Sequence, residues 1–460
     1  MASKKDLIEA QTFSRRRLLT AFTSGAPGGK ELEPTKPMRG VVAGLALTAL
    51  VVVGGLFYGF LRPGLPAGWD NNRLVVAEDT GARYVSVGGT LHPVANTTSA
   101  RLIVPAGEFD VVTTSAGRLA DAPLGQPVGI VGAPDQLPPT DRLLGTGWAA
   151  CLVLEGTEGA AGVAGVATTL SATAPAVATD GAAVVRTEAG TAVLVGGTSF
   201  PVDADGTDAV LRAVGLGDAD VRDVTAAWLR LFTPGTELSA IVVRDAGGTV
   251  EGTELRVGQV VHPQGSPATT RFLVREDGSL APLSPLAYQL YLLGTGAQLG
   301  EALDVPSAAI AALKTSPTPA GAADWPTREI APVPDADAPC ALATDADGEP
   351  GTVLGVASDD AAVRTVGQRV DHGAGALVRA GGRGAQSSGG LYLVDATGTA
   401  FPVVGGADTL TRLGYATEDV GGVTDAWIAL LPTGPVLSTE VATRGVTVAD
   451  AGATAEAGTG

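Results

Sequence analysis

The chain has 460 residues, a net charge of −18, and a composition that is 45% hydrophobic but only 4% aromatic. That length predicts two to four domains with cores built mainly from Val, Leu, Ile and Ala. The acidic balance excludes nucleic acid as a main partner, because phosphate binding needs a basic face. With 64 Gly and 30 Pro, short strands and many turns are expected, short of general disorder.

The charge is unevenly spread. Residues 1–39 hold eight Lys or Arg and four Asp or Glu, so this segment is +4 and the remainder −22. The stretch "DLIEAQTFSRRRLLTAF" places Leu7, Ile8, Leu18, Leu19 and Phe22 on one helical face beside Arg15, Arg16 and Arg17. Such a basic amphipathic helix suits an anionic leaflet or a cytoplasmic partner; the alternative is a topology signal and nothing more. Next comes "VVAGLALTALVVVGGLFYGFL", 21 residues from Val41 to Leu61 without a charge. At about 1.5 Å per residue it crosses about 30 Å, the thickness of a bilayer core. A buried core helix would show a polar stripe, and a cleaved signal peptide would have a shorter apolar run nearer the start. Arg39 abuts the span and most Lys and Arg precede it. The N-terminus is therefore expected in the cytoplasm and the body outside it.

Beyond the span one unit recurs four times. "ARYVSVGGTLHPV" from Ala82, "TAVLVGGTSFPV" from Thr191, "TRFLVREDGSLAPL" from Thr270 and "LYLVDATGTAFPV" from Leu391 each read as a β-hairpin ending at a proline. Gly88-Gly89, Gly196-Gly197 and Asp277-Gly278 supply its turns. Pro93, Pro201, Pro282 and Pro402 close the second strands, since proline cannot donate to a ladder. A short helix follows, as in "ADTLTRLGY", where Gly414 suits a C-cap. The second and fourth copies continue into "VTAAWLRLF" and "VTDAWIALL". Val420, Val423 and Trp427 are spaced as one face of a second short helix. Trp228 and Trp427 are read as core anchors of their own repeats, together with the four prolines. Four copies of one unit predict a repeat architecture.

Cys151 and Cys340 are the only cysteines. An even count in an oxidising compartment points to a disulfide, with two separate buried thiols as the alternative. Strand-like pieces around both cysteines suggest one central β domain made from two distant segments. The expected boundaries are a cytoplasmic basic segment at 1–39, a transmembrane helix at 40–62 and repeat 1 at 73–121. The first part of the central domain follows at 122–154, then a linker at 155–190, repeat 2 at 191–255 and repeat 3 at 256–314. A Pro-rich linker at 315–338, the second central part at 339–390, repeat 4 at 391–445 and a disordered tail at 446–460 complete the chain.

There is no G-x-x-x-x-G-K-[ST] loop, G-x-S-x-G, H-E-x-x-H or paired Cys-x-x-Cys. His92, His262 and His372 have no metal-ligand spacing to a cysteine. The Asp-rich turns from Asp203 and Asp345 have Asp208 and Pro350 where a calcium loop needs Gly, so they read as solvated turns. No catalytic, cofactor-binding or metal-ligating residue is assigned, and enzyme activity is left open.

The residues do resemble a family: EccB, the membrane component of the actinobacterial type VII (ESX) secretion system. The resemblance rests on "QTFSRRRLLTAF", the single span, "GARYVSVGGTLHPVANTTSARLIV", "VGIVGAPDQLPPTDRLLGTGWAAC", the second cysteine and the closing repeat. It implies an α+β fold in which an N-terminal helix and one transmembrane helix precede an extended extracytoplasmic body. That body would hold four β-hairpin/short-helix repeats around a central β domain with a disulfide. It further implies assembly with EccC, EccD and EccE subunits at the inner membrane, and self-association. The repeats look like phage-lysin cell-wall-binding modules, which makes peptidoglycan a candidate ligand. Members often carry an ATPase label, and ATP enters on that label alone.

Overall fold

A computed structural model describes residues 3–24, 37–60, 65, 68–153, 163–346, 348–358, 365–382 and 388–446. The chain divides into two compact units, Met1–Pro66 and Ala67–Gly460.

The first unit holds two helices, Lys4–Ser24 and Pro37–Phe60. On the first, Leu7, Ile8, Leu18, Leu19 and Phe22 are all more than half exposed. The second contains a 21-residue window, Met38–Tyr58, of mean hydropathy 2.3, whose side chains no described residue buries. It is long and apolar enough to cross a membrane.

The second unit repeats one plan four times. In repeat 1 the strands Arg73–Ala77, Arg83–Val87 and Thr90–Pro93 form an antiparallel meander. The helix Thr97–Ile103 then crosses back, and Asp110–Thr114 pairs parallel with the first strand. Repeat 2 uses Gly181–Thr187, Gly190–Val195, Thr198–Pro201 and Val221–Asp223 in the same way. Repeat 3 uses Val260–Pro263, Arg271–Val274, Leu280–Leu283 and Leu303–Val305. Repeat 4 uses Ala376–Gly381, Gly390–Val394, Ala400–Val403 and Gly421–Thr424. The unit is thus larger than the hairpin and helix read from the sequence, and repeats 1 and 3 are complete copies.

A six-stranded sheet is assembled from distant segments. Its order is Gly367–Val370, Val166–Leu170, Trp148–Leu152, Asp337–Ala346, Glu349–Ser358 and Ala176–Val177. Side chains alternate between its faces. Ala149, Cys151, Val153, Cys340 and Leu342 share one core, and Trp148, Ala150, Leu152, Ala341 and Leu354 share another.

Several expected boundaries are corrected. The linker at 155–190 contains Val166–Leu170 and Ala176–Val177 of this sheet and the first strand of repeat 2. Its small Ala, Thr and Val residues fit the closely packed strands Val166–Leu170 and Gly181–Thr187, while Ala176 and Val177 form an exposed edge. The Pro-rich linker at 315–338 carries the buried Trp325 and the strand Ala331–Pro332, which pairs with repeat 2. Ala376–Gly381 belongs to repeat 4, not to the second central part. Of 122–154, only Trp148–Leu152 enters the central sheet. Val420 and Val423 do not lie on a helix: Gly421–Thr424 is a strand, and the helix is Asp425–Ile428. Residues 447–460 of the expected tail lie outside the described residues.

Glycine serves two needs here. Gly414 ends the helix Gly406–Leu413 in the left-handed region at φ 96°. Gly197 is required by close approach, since a Cβ there would stand 2.4 Å from the Thr352 carbonyl oxygen of the central sheet.

Candidate functional site: the junctions of the repeats

The described residues bring no metal-binding cluster together. What they do bring together is a set of junctions between modules.

The first lies on the Trp face of the central sheet. Trp228 and Trp427 are fully buried in one core with Trp148, Leu152, Leu170 and Leu354. The Trp228 indole Nε1 donates to the Ala150 carbonyl at 2.9 Å, and Trp427 Nε1 donates to Thr352 Oγ1 at 3.2 Å. Trp148 and Trp427 meet edge to face with centroids 6.2 Å apart, a favourable aromatic geometry. The two tryptophans therefore do not anchor their own repeats alone, as the sequence reading had it. They fasten repeats 2 and 4 to one face of the central sheet. The same helical position, three residues past the N-cap, holds Arg118 in repeat 1 and Ala309 in repeat 3, and both are exposed. A large apolar ring thus occupies this position only in the repeats that meet the central sheet.

The second junction joins repeats 1 and 4. Leu102 packs with Leu393, Phe401, Leu410, Leu413 and Leu437. Arg412 Nη1 reaches across to the Leu102, Ile103 and Val104 carbonyls at 3.3, 3.4 and 2.9 Å, while its Nε donates to Asp408 at 2.7 Å. A cation is favoured there because those carbonyls end the helix Thr97–Ile103. Tyr415 donates to the Pro138 carbonyl at 2.7 Å, and burial raises its pKa. The third junction joins repeats 2 and 3. Phe200 and Leu211 share a core with Leu286, Leu290, Tyr291 and Trp325. Tyr291 donates to the Gly258 carbonyl at 2.9 Å, and burial, then the neighbouring Tyr288, pushes its pKa up to about 12. Arg412, Tyr415, Tyr291 and Trp325 carry no motif that marks them in the sequence.

Cys151 and Cys340 stand opposite each other on neighbouring strands, and their sulfurs are bonded at 2.04 Å. The prolines are corrected. Pro93, Pro282 and Pro402 are half-buried and Pro201 is exposed, while Phe200, Ala281 and Phe401, directly before Pro201, Pro282 and Pro402, are buried. Strand alternation turns Pro201, Pro282 and Pro402 to the face opposite the buried residue before each, and Pro93, Pro282 and Pro402 pair across the hairpin with Tyr84, Phe272 and Tyr392. Arg15, Arg16, Arg17 and Arg39 lie on the helices of the first unit.

Repeat 3 also carries His262, whose Nδ1 lies 2.8 Å from Asp304 Oδ1 across the parallel strand pair. Its Nε2 lies 3.2 Å from both Ser266 Oγ and the Pro267 carbonyl. The bond to Asp304 raises its pKa above the ordinary imidazole value. Ser266 Oγ donates to the Pro263 carbonyl at 2.6 Å, so this trio closes a turn.

A family model described as "Type VII secretion system ESX-1, transport TM domain B" matches residues 1–449. The chain belongs to the EccB family. Among curated EccB relatives, EccB3 of Mycobacterium tuberculosis (strain H37Rv), called an ESX-3 secretion system ATPase, is 33% identical over 235 residues. That match covers 48% of this chain and 42% of the relative. EccB5 of the same strain is 29% identical over 303 residues, covering 63% of this chain and 58% of the relative. These alignments span about half the length of the curated relatives. The EccB3 dimer from the ESX-3 core complex superposes with a TM-score of 0.65 at 26% identity, covering 81% of this chain and 99% of that one. A chain of an intact ESX-5 inner membrane complex shares the fold, with a TM-score of 0.63 at 23% identity over 97% of this chain and 96% of that one.

Proposed function

We propose that this EccB-family chain is a single-pass scaffold subunit of a type VII (ESX) secretion complex in the inner membrane. It would assemble with EccC-, EccD- and EccE-type subunits and with further copies of itself, so that proteins are exported across that membrane. The observation that carries this reading is the body's construction. Four repeats are locked pairwise, and through two tryptophans, onto a disulfide-bonded sheet, which makes a rigid multi-faced block and not a cleft around reactive groups. The family match and the likeness to an EccB3 dimer support it.

The Lys and Arg before the span favour an N-terminus in the cytoplasm and a body outside it. Alkaline phosphatase fused after Gly460 should then be active in a well-expressed fusion; an inactive one reverses the orientation. Affinity purification of the tagged chain from membranes should bring down EccC- and EccD-type subunits. A preparation free of both overturns the scaffold role. The scaffold role needs no nucleotide, so the purified chain is expected to release no phosphate from ATP above background.

A further inference from the structure

Among the described residues nothing covers the apolar side of the helix Lys4–Ser24. Leu7, Ile8, Leu18, Leu19 and Phe22 are 60% to 91% exposed. At about 100° per residue they fall within an arc of about 120° on one side of the helix. Arg15 falls inside the same arc, between Leu7 and Ile8 at one end and Leu18, Leu19 and Phe22 at the other. Asp6, Glu9 and Phe13 lie on the opposite side. Among the described residues no carboxylate pairs with Arg15, Arg16 or Arg17.

Whatever covers this side meets two demands at once. It takes five large apolar side chains out of water, and it gives Arg15 an anion at the same depth. Water meets only the second demand, and hydrocarbon only the first. The surface of a bilayer meets both. Acyl chains receive the apolar groups, while an arginine buries its stem and keeps its guanidinium at the headgroup phosphates. The order of the chain brings such a surface within reach. The helix Pro37–Phe60 holds the membrane-crossing window Met38–Tyr58. Only residues 25–36 separate it from the first helix, which is at most about 45 Å of extended chain. Charge agrees as well. Residues 1–39 carry +4 in a chain whose remainder carries −22, so the one basic segment is the one tethered beside the span, where anionic headgroups attract it.

We propose that the helix Lys4–Ser24 lies on the bilayer surface as a second membrane contact beside the span. Leu7, Ile8, Leu18, Leu19 and Phe22 enter the interface, and anionic phospholipid headgroups pair with Arg15 and its basic neighbours. The tether to the span holds the helix at high local concentration, so the contact forms even where each group adds little. A lipid surface is favoured over a protein groove because the span itself supplies the surface, with no further partner. The inference rests on the span crossing the membrane. It goes beyond the scaffold role, since it gives this segment a lipid partner of its own.

The test uses the full chain, with no other protein, in vesicles of phosphatidylglycerol mixed with phosphatidylcholine and in vesicles of phosphatidylcholine alone. Cys151 and Cys340 are bonded to each other, so a single introduced cysteine takes a nitroxide label selectively. Oxygen and a water-soluble nickel complex then report whether the labelled site faces lipid or water. In the anionic vesicles Leu7→Cys, Leu18→Cys and Phe22→Cys should favour oxygen, and Asp6→Cys and Glu9→Cys should favour nickel. The contrast between the two sides should be lost in phosphatidylcholine alone. It should also be lost when Arg15→Gln, Arg16→Gln and Arg17→Gln are combined. Leu50→Cys, within the span, should face lipid throughout. If Leu50 faces lipid while Leu18 and Phe22 stay open to nickel in anionic vesicles, the helix does not lie on the membrane and the proposal falls. A contrast that is equal with and without anionic lipid overturns the headgroup pairing. If Leu50 itself is open to nickel, the span fails, and this inference fails with it.

Discussion

Trp228 illustrates how one side chain can join two modules. Its ring is fully buried and its indole N–H is the donor to the Ala150 carbonyl. Trp228→Ala should cost about 3–5 kcal/mol, the usual range for a core tryptophan. Trp228→Phe keeps much of the apolar contact but removes the donor from Ala150, and should cost about 1–3 kcal/mol. Denaturant midpoints of the three proteins check the order; equal loss in both variants would mean that the hydrogen bond, not the ring's bulk, dominates. His262 gives a pH-dependent contribution. Its pKa is raised in the folded chain, chiefly by the bond to Asp304, and the unfolded value is about 6.5. The folded state therefore holds the proton more tightly than the unfolded one. The stabilisation is fully present below about pH 6.5 and is lost as pH rises through the raised value. The stability difference between wild type and His262→Gln should shrink with rising pH across this window. A difference that grew with pH would contradict the assignment.

At the level of elements, the disulfide and the strand pairing act together. Cys151 and Cys340 are 189 residues apart but are direct cross-strand neighbours. The bond thus ties the two distant segments of the central sheet at one register point. Replacing both with alanine should lower stability by about 2–4 kcal/mol, read as a shift in denaturant midpoint at constant m-value. The hairpins, the Gly414 cap and both cysteines were legible in the sequence because each depends on local backbone chemistry or on a rare residue type. The Ala- and Thr-rich strands Val166–Leu170 and Gly181–Thr187 were not. Their residues look like linker until the neighbours that bury them are known. The strand Gly421–Thr424 was misread for a related reason: Val420, Val423 and Trp427 fit a helical period by chance. It is pairing with Ala376–Gly381, supplied from far along the chain, that makes this stretch extended. The outward-facing Pro201 and Pro402 follow from the pleat alone and needed only a strict count of alternation from Phe200 and Phe401.

Across the whole body, the sequence order of the repeats differs from their order in contact. Repeat 1 packs on repeat 4 and repeat 2 on repeat 3, and the central sheet carries repeats 2 and 4 on one face. Cooperation between repeats must then pass through that face, where Trp148 of the sheet touches Trp427 of repeat 4 and both share a core with Trp228 of repeat 2. Residues in one packed cluster couple in stability, by about 0.5–3 kcal/mol, whereas distant ones add. A double-mutant cycle of Trp148→Leu with Trp427→Leu should therefore be non-additive within this range. A cycle pairing Trp427→Leu with Leu74→Ala, in the separate core of repeat 1's own sheet, should add. Hydrogen exchange gives the spatial counterpart. Trp427→Leu should speed exchange in Trp148–Leu152 and in the Trp228 helix, although repeat 2 lies some two hundred residues upstream. Exchange that quickened only within repeat 4 would show that the modules open independently, and the body would then be a string of repeats and not a single block.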